Sequence, residues 1–208
     1  MKLKEIQKEY DVIFSLGNNC LPAMKLREHD LRRFAGPLDW VGSPNLSKVT
    51  NLLKHNFSRF LELENLRGIQ YVSDTDILVL DELNHISFNH DFKTDRNTLD
   101  EFLDLPLIKE KYERRIKRFQ RTLEEKNQIL FIRTEGTIEE VMELQTILKE
   151  KVKGDFSILL INHTDVTKLT EIDWNLENVC VLELPKEEIW EGNNHCWKEI
   201  FESISLRK

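Results

Sequence analysis

The chain has 208 residues, of which 37 are acidic and 30 basic, for a formal net charge of −7. That length supports one domain, residues 1–208, with a sizeable core. The acidic balance argues against general nucleic-acid binding, which needs a basic face to neutralise phosphates, and no apolar run approaches the roughly 18 residues of a membrane span.

Taken in chain order, the elements begin after a charged N-terminal segment that lacks the apolar core of a signal peptide. Val12 to Leu16 reads as an apolar strand that runs into Gly17, Asn18, Asn19 and Cys20. Asn19 is a good helix cap, which places the Cys20 thiol in the first turn of a helix, where unsatisfied N–H groups favour a thiolate. Ile69 to Phe92 holds two or three short strand candidates with hairpin turns. Leu107 to Lys126 is a long amphipathic helix with Ile108, Tyr112, Ile116, Phe119 and Leu123 on one stripe. Its basic residues, from Lys109 to Arg121, read as a solvated face. Gln128 to Thr134 is a strand, and Thr137 with Glu140 forms a capping box ahead of the next helix. Phe156 to Asn162 and Val179 to Leu184 are apolar runs without alternation, as in strands covered on both faces. A helix near His195 to Ile204 follows. This order predicts a three-layer α/β fold, a mostly parallel open sheet with helices on both faces.

Ligands of such a sheet bind beyond the carboxyl ends of its strands. Four segments bring polar residues there in this reading: Asn18, Asn19 and Cys20; His90 and Asp91; Arg133 and Glu135; Asn162 and His163. A nucleophile needs a base, and the base needs an orienter. Cys20 with His90 supplies the first two. Asp91 is adjacent to His90, so on an extended backbone its side chain points away, and Asp39 in the Pro37–Leu38–Asp39–Trp40 turn is the candidate third member. Asn18 or Asn19 offers an oxyanion donor, while Asn18, Asn19, Arg133, Asp91 and His163 are candidate substrate contacts. A packing role stands open for each of these residues. No C-x-x-C occurs to complete a metal-ligand set, so no metal is expected; nor does any phosphate loop or dinucleotide fingerprint call for a cofactor.

The pattern Ser15–Leu16–Gly17, Cys20, Ala23, Leu26–Arg27, then Leu31–Arg32 and Pro37, Asp39, Trp40 resembles the signature of a bacterial family described as papain-like cysteine peptidases. His90–Asp91–Phe92 and Phe131–Ile132–Arg133 extend the similarity, with Leu38 standing where phenylalanine is expected. The resemblance implies a cysteine-dependent hydrolase or acyl transferase acting on a peptide or small molecule. A papain-like fold would set the cysteine on a long helix against an antiparallel barrel, whereas the strand before Cys20 favours the parallel sheet. Two other readings stay open: a glycan-modifying or nucleotide-sugar transferase with Arg133 on a phosphate, and a binding protein using the same crevice. Three cysteines, an odd and sparse set, point to a reducing compartment, the cytoplasm.

Overall fold

The computed structural model describes residues 1–125 and 127–207. It begins with helix α1 (Leu3–Ile6), strands β1 (Glu9–Tyr10) and β2 (Val12–Ser15), helix α2 (Leu21–Glu28), strand β3 (Val41–Gly42) and helix α3 (Leu46–Lys54). Strands β4 (Leu66–Tyr71), β5 (Asp76–Asp81) and β6 (Ile86–Lys93) follow, then helix α4 (Leu105–Glu124), strand β7 (Gln128–Thr134) and helix α5 (Ile138–Lys151). The remainder is β8 (Asp155–Thr164), β9 (Thr170–Ile172), β10 (Val179–Pro185), α6 (Asn194–Phe201) and β11 (Ser205–Leu206), which pairs with β1. The predicted end of the long helix, Lys126, lies outside the described residues.

The main sheet has the order β2-β7-β8-β10-β9, with β9 antiparallel on one edge and the rest parallel. Its apolar runs are buried on both faces because helices cover both. Ile13, Leu130, Ile132, Leu159, Ile161 and Leu182 pack with Leu21 and Leu26 of α2 and Trp197 and Ile200 of α6. On the opposite face Phe14, Phe131, Ile158 and Leu160 meet α3, α4 and α5 through Val49, Phe119, Val141 and Leu148. The three-layer α/β fold expected from the sequence is the fold observed. At the start of α5, Thr137 Oγ1 accepts the Glu140 N–H while the Glu140 carboxylate accepts the Thr137 N–H, the expected capping box.

The middle of the chain is more elaborate than a hairpin. Strands β3, β6, β5 and β4 form a separate antiparallel sheet. Its inner side chains, Ile77, Val79, Phe88 and Phe92, join the same core as the α3–α4–α5 face of the main sheet. Burial along β5 alternates residue by residue, the mark of a sheet covered on one side. The basic residues of α4 are largely matched locally: Lys109 with Glu62, Arg114 with Glu110, Arg121 with Glu125, while Arg115 and Arg118 lie over the rings of Tyr112 and Phe34. No described helix is long and apolar enough to cross a membrane.

Arg133, next to last in β7, is fully buried. Its Nη1 donates to the Leu16 carbonyl at 3.0 Å and to Ser43 Oγ at 3.2 Å, Nη2 to the Ser43 carbonyl at 2.8 Å, and Nε to the Glu135 carbonyl at 3.1 Å. One guanidinium thus fastens the exit of β2, the chain after β3 and the exit of β7. Burial lowers its pKa to about 10, with Glu140 and Glu135 acting in the opposite sense.

Replacing Arg133 with Met keeps bulk but strands several buried carbonyls, each costing about 1–3 kcal/mol. Urea unfolding should lose about 3 kcal/mol or more; an unchanged midpoint would show that the guanidinium is dispensable. Truncation after Gly192 removes Trp197 and Ile200, both fully buried. At about 1.5–3 kcal/mol per large apolar side chain, the thermal melt of the truncated chain should collapse to lower temperature, and an unaltered melt would contradict this packing account.

Candidate functional site

The chain after β2 is shaped by close contacts. Gly17 has φ of +79°, and a Cβ there would lie 2.4 Å from Ser43 Oγ and 3.3 Å from the Leu38 carbonyl, so only glycine fits. Asn18, also left-handed with φ of +82°, donates its N–H to Ser43 Oγ at 3.0 Å and accepts the Ser43 N–H at 2.8 Å. Asn19 Oδ1 accepts the Leu21 N–H at 2.9 Å. The cap residue of α2 is Cys20 itself, in helical conformation with φ −78° and ψ −4°, one position later than expected. Its thiol is half-buried. Burial pushes the Cys20 pKa up, while the hydrogen bond from its own backbone N–H pulls it down. The thiolate stabilisation expected at a helix start is therefore outweighed by desolvation.

Asp39 is buried and committed. Arg32 Nε donates to its Oδ2 at 2.7 Å, and the Gly36 N–H donates to the same oxygen at 2.9 Å. Burial raises the Asp39 carboxyl, and Arg32 opposes the rise. Both Arg27 of α2 and Arg32 hold their guanidinium groups over the Trp40 ring, at 5.4 and 5.3 Å from its centroid. The Pro37–Trp40 turn is thus bound to α2 and to the segment that follows it.

His90 and Asp91 do not lie at the carboxyl rim of the main sheet. They sit within β6 of the antiparallel sheet, at a register shift opposite β5. A polar pair after Ile86–Asn89 looks like a strand end in the sequence, but β6 continues through it to Lys93. His90 is exposed. Asp91 accepts a hydrogen bond from Tyr112 Oη at 2.8 Å and forms an ion pair with Lys111, which ties β6 to α4. Arg133 likewise is not available as a phosphate ligand, because its N–H donors are spent on backbone carbonyls and Ser43.

The rim brings a different pair together. His163, near the end of β8, has its Nδ1 2.6 Å from Glu135 Oε1, and its backbone N–H donates to the same carboxylate oxygen at 3.3 Å. Glu135 follows β7 in the left-handed region, φ +60°, and donates its N–H to the Ile161 carbonyl at 2.9 Å. Beside them Asn162 closes a two-way bridge with Gly136, accepting its N–H and donating to its carbonyl. Ser43 is the residue that sequence reasoning misses, for it carries no local signal, and Glu135, expected at the rim beside Arg133, has a partner in His163 that the sequence does not indicate. Among the described residues, no group of three or more His, Cys, Asp and Glu side chains is arranged to hold a metal ion.

The chain is 28% identical over 222 aligned residues to "Uncharacterized protein R408" of Acanthamoeba polyphaga mimivirus, covering 91% of this chain and 97% of that protein. That relative is viral, so the bacterial setting implied by the resemblance gains nothing from it. No solved structure matches this chain. The model of the family described as "Putative papain-like cysteine peptidase (DUF1796)" matches residues 11–166, a span that takes in the Cys20 loop, the Asp39 turn and the Glu135–His163 pair, and the chain belongs to that family.

Proposed function

We propose that the protein is a cysteine-dependent hydrolase or acyl transferase whose nucleophile is Cys20, acting on an amide or thioester in a peptide or small molecule. The observation that carries this reading is the position of Cys20: a half-buried thiol between the end of a parallel strand and the first turn of a helix, on a loop fixed by Gly17, Ser43 and Arg133. Ligands of open α/β sheets bind at that rim. Family membership supports peptidase-like chemistry at the level of the family.

In this reading Sγ gives its proton to an imidazole as it bonds to the substrate carbonyl carbon. The C–N or C–S bond then breaks, the departing amine or thiol takes that proton, and water or a second acceptor releases the acyl group from the Cys20 thioester. The Cys20 backbone N–H is a natural oxyanion donor, with Asn18 and Asn19 shaping the approach. His90 and His163 are the imidazoles to weigh, and Asp39 serves by fixing the Pro37–Trp40 turn. The transferase alternative loses its phosphate ligand with Arg133 buried and fully engaged. Free thiols at Cys20, Cys180 and Cys196 suit a reducing, cytoplasmic setting.

An activated ester tests the chemistry without knowledge of the substrate. With p-nitrophenyl acetate, the protein should release nitrophenolate in a burst of about one equivalent and carry an acetyl group on Cys20. Cys20→Ser should abolish the burst with little loss of stability, since the change is nearly isosteric. A burst that persists in Cys20→Ser would remove Cys20 from the mechanism.

A further inference from the structure

Buried imidazoles need an explanation when one ring nitrogen has no partner. The side chain of His163 is 5% exposed, and its Nε2 is buried with no hydrogen-bond partner among the described residues. Leaving such an atom unpaired costs about 1–3 kcal/mol. At the other end of the ring, Nδ1 lies 2.6 Å from the Glu135 carboxylate, which is acceptor-only when ionised. That contact assigns the proton to Nδ1 and leaves a lone pair on Nε2. A carboxylate that fixes the tautomer while the opposite nitrogen keeps a free lone pair is the arrangement of a general base.

The placement of the ring relative to Cys20 follows from strand parity. Leu159 and Ile161 of β8 belong to the core beneath α2 and α6. His163 continues that alternation, so its side chain lies on the α2 side of the sheet, at the carboxyl rim. Cys20 begins α2 at the same rim and on the same side. Strand β7 alone separates β2 from β8, a lateral distance of about 10 Å at roughly 4.8 Å per strand, and α2 packs over both β2 and β7. Sγ and Nε2 do not hydrogen-bond at rest, and such contacts commonly tighten only when substrate binds. His90 has neither feature: it is exposed, and Asp39 is engaged by Arg32 and Gly36.

From this geometry we infer that His163 is the general base for Cys20 and that Glu135 is the positioning residue that orients it. The inference rests on the reading of Cys20 as nucleophile and adds to it the chain order Cys, Glu, His. As Sγ bonds to the substrate carbonyl carbon, its proton passes to His163 Nε2; the imidazolium, held by Glu135, returns it to the departing amine or thiol.

Alkylation of Cys20 by iodoacetamide in the full chain, followed by peptide mass at about pH 7 and about pH 10, separates the possibilities. His163→Gln is expected to slow the reaction by about tenfold or more at neutral pH and to leave the alkaline rate nearly unchanged, because solvent base then forms the thiolate. Glu135→Gln should slow the neutral reaction several-fold, and His90→Ala should change neither rate. A merely structural role for His163 would alter both rates together and would overturn the assignment. Should His163→Gln fail to fold, Glu135→Gln against His90→Ala carries the test. If His90→Ala alone slows the neutral reaction, His163 is not the base while Cys20 remains the nucleophile. If Cys20→Ser keeps the p-nitrophenyl acetate burst, the nucleophile reading falls and this assignment with it.

Discussion

A single buried guanidinium organises the carboxyl rim of the main sheet. Arg133 arrives at the end of β7 with more donors than a strand end can use, and three separate stretches of backbone turn their carbonyls toward it. A fully buried cation is costly, and the structure offsets that cost with hydrogen bonds to Leu16, Ser43 and Glu135. The consequence is geometric. The Cys20 loop, the chain after β3 and the left-handed Glu135 share one anchor, so none can shift without stranding buried acceptors of the others. Such a network is typical of sites held within narrow tolerances by their supporting residues.

The two sheets divide the labour. The antiparallel sheet lies over the α3–α4–α5 side and contributes Phe88 and Phe92 to the common core, and its polar residues serve attachment, as Asp91 does when it meets Tyr112 and Lys111 of α4. On the parallel sheet, polar residues near the end of β8 pair with the chain leaving β7, Asn162 with Gly136 and His163 with Glu135. Those pairs lie where the ends of parallel strands leave backbone groups uncovered and side chains converge, which explains why open α/β sheets put chemistry there.

The parallel strands were legible because an unbroken apolar run such as Phe156 to Ile161 has few other uses, and Thr137 with Glu140 marked its helix start directly. The antiparallel sheet was only partly legible. Asp76 to Asp81 alternates in burial, yet Leu78 and Leu80 on its outer side hide the alternation in the letters. The site was less legible still, for a physical reason. An arginine at a strand end reads the same whether it meets a phosphate or backbone carbonyls, and an aspartate in a turn reads the same whether it orients an imidazole or pairs with an arginine seven residues away. Partnership across the sheet, as between Glu135 and His163, depends on register and on a left-handed backbone at a non-glycine residue, and neither is written in local composition.

The clasp on Trp40 has a mechanical consequence. Arg27 grips the indole from the last turn of α2, while Cys20 heads the first. An eight-residue helix is about 12 Å long, so α2 carries the aromatic clasp near one end and the sulfur at the other. A tilt of about 10° about the clasped end would move the sulfur by about 2 Å, and for the proposed nucleophile about 1 Å of misplacement would cost about two orders of magnitude. Whatever loosens the indole from its two guanidinium neighbours would therefore be felt as a loss of aim at the far end of the helix, with no change in the thiol's own surroundings.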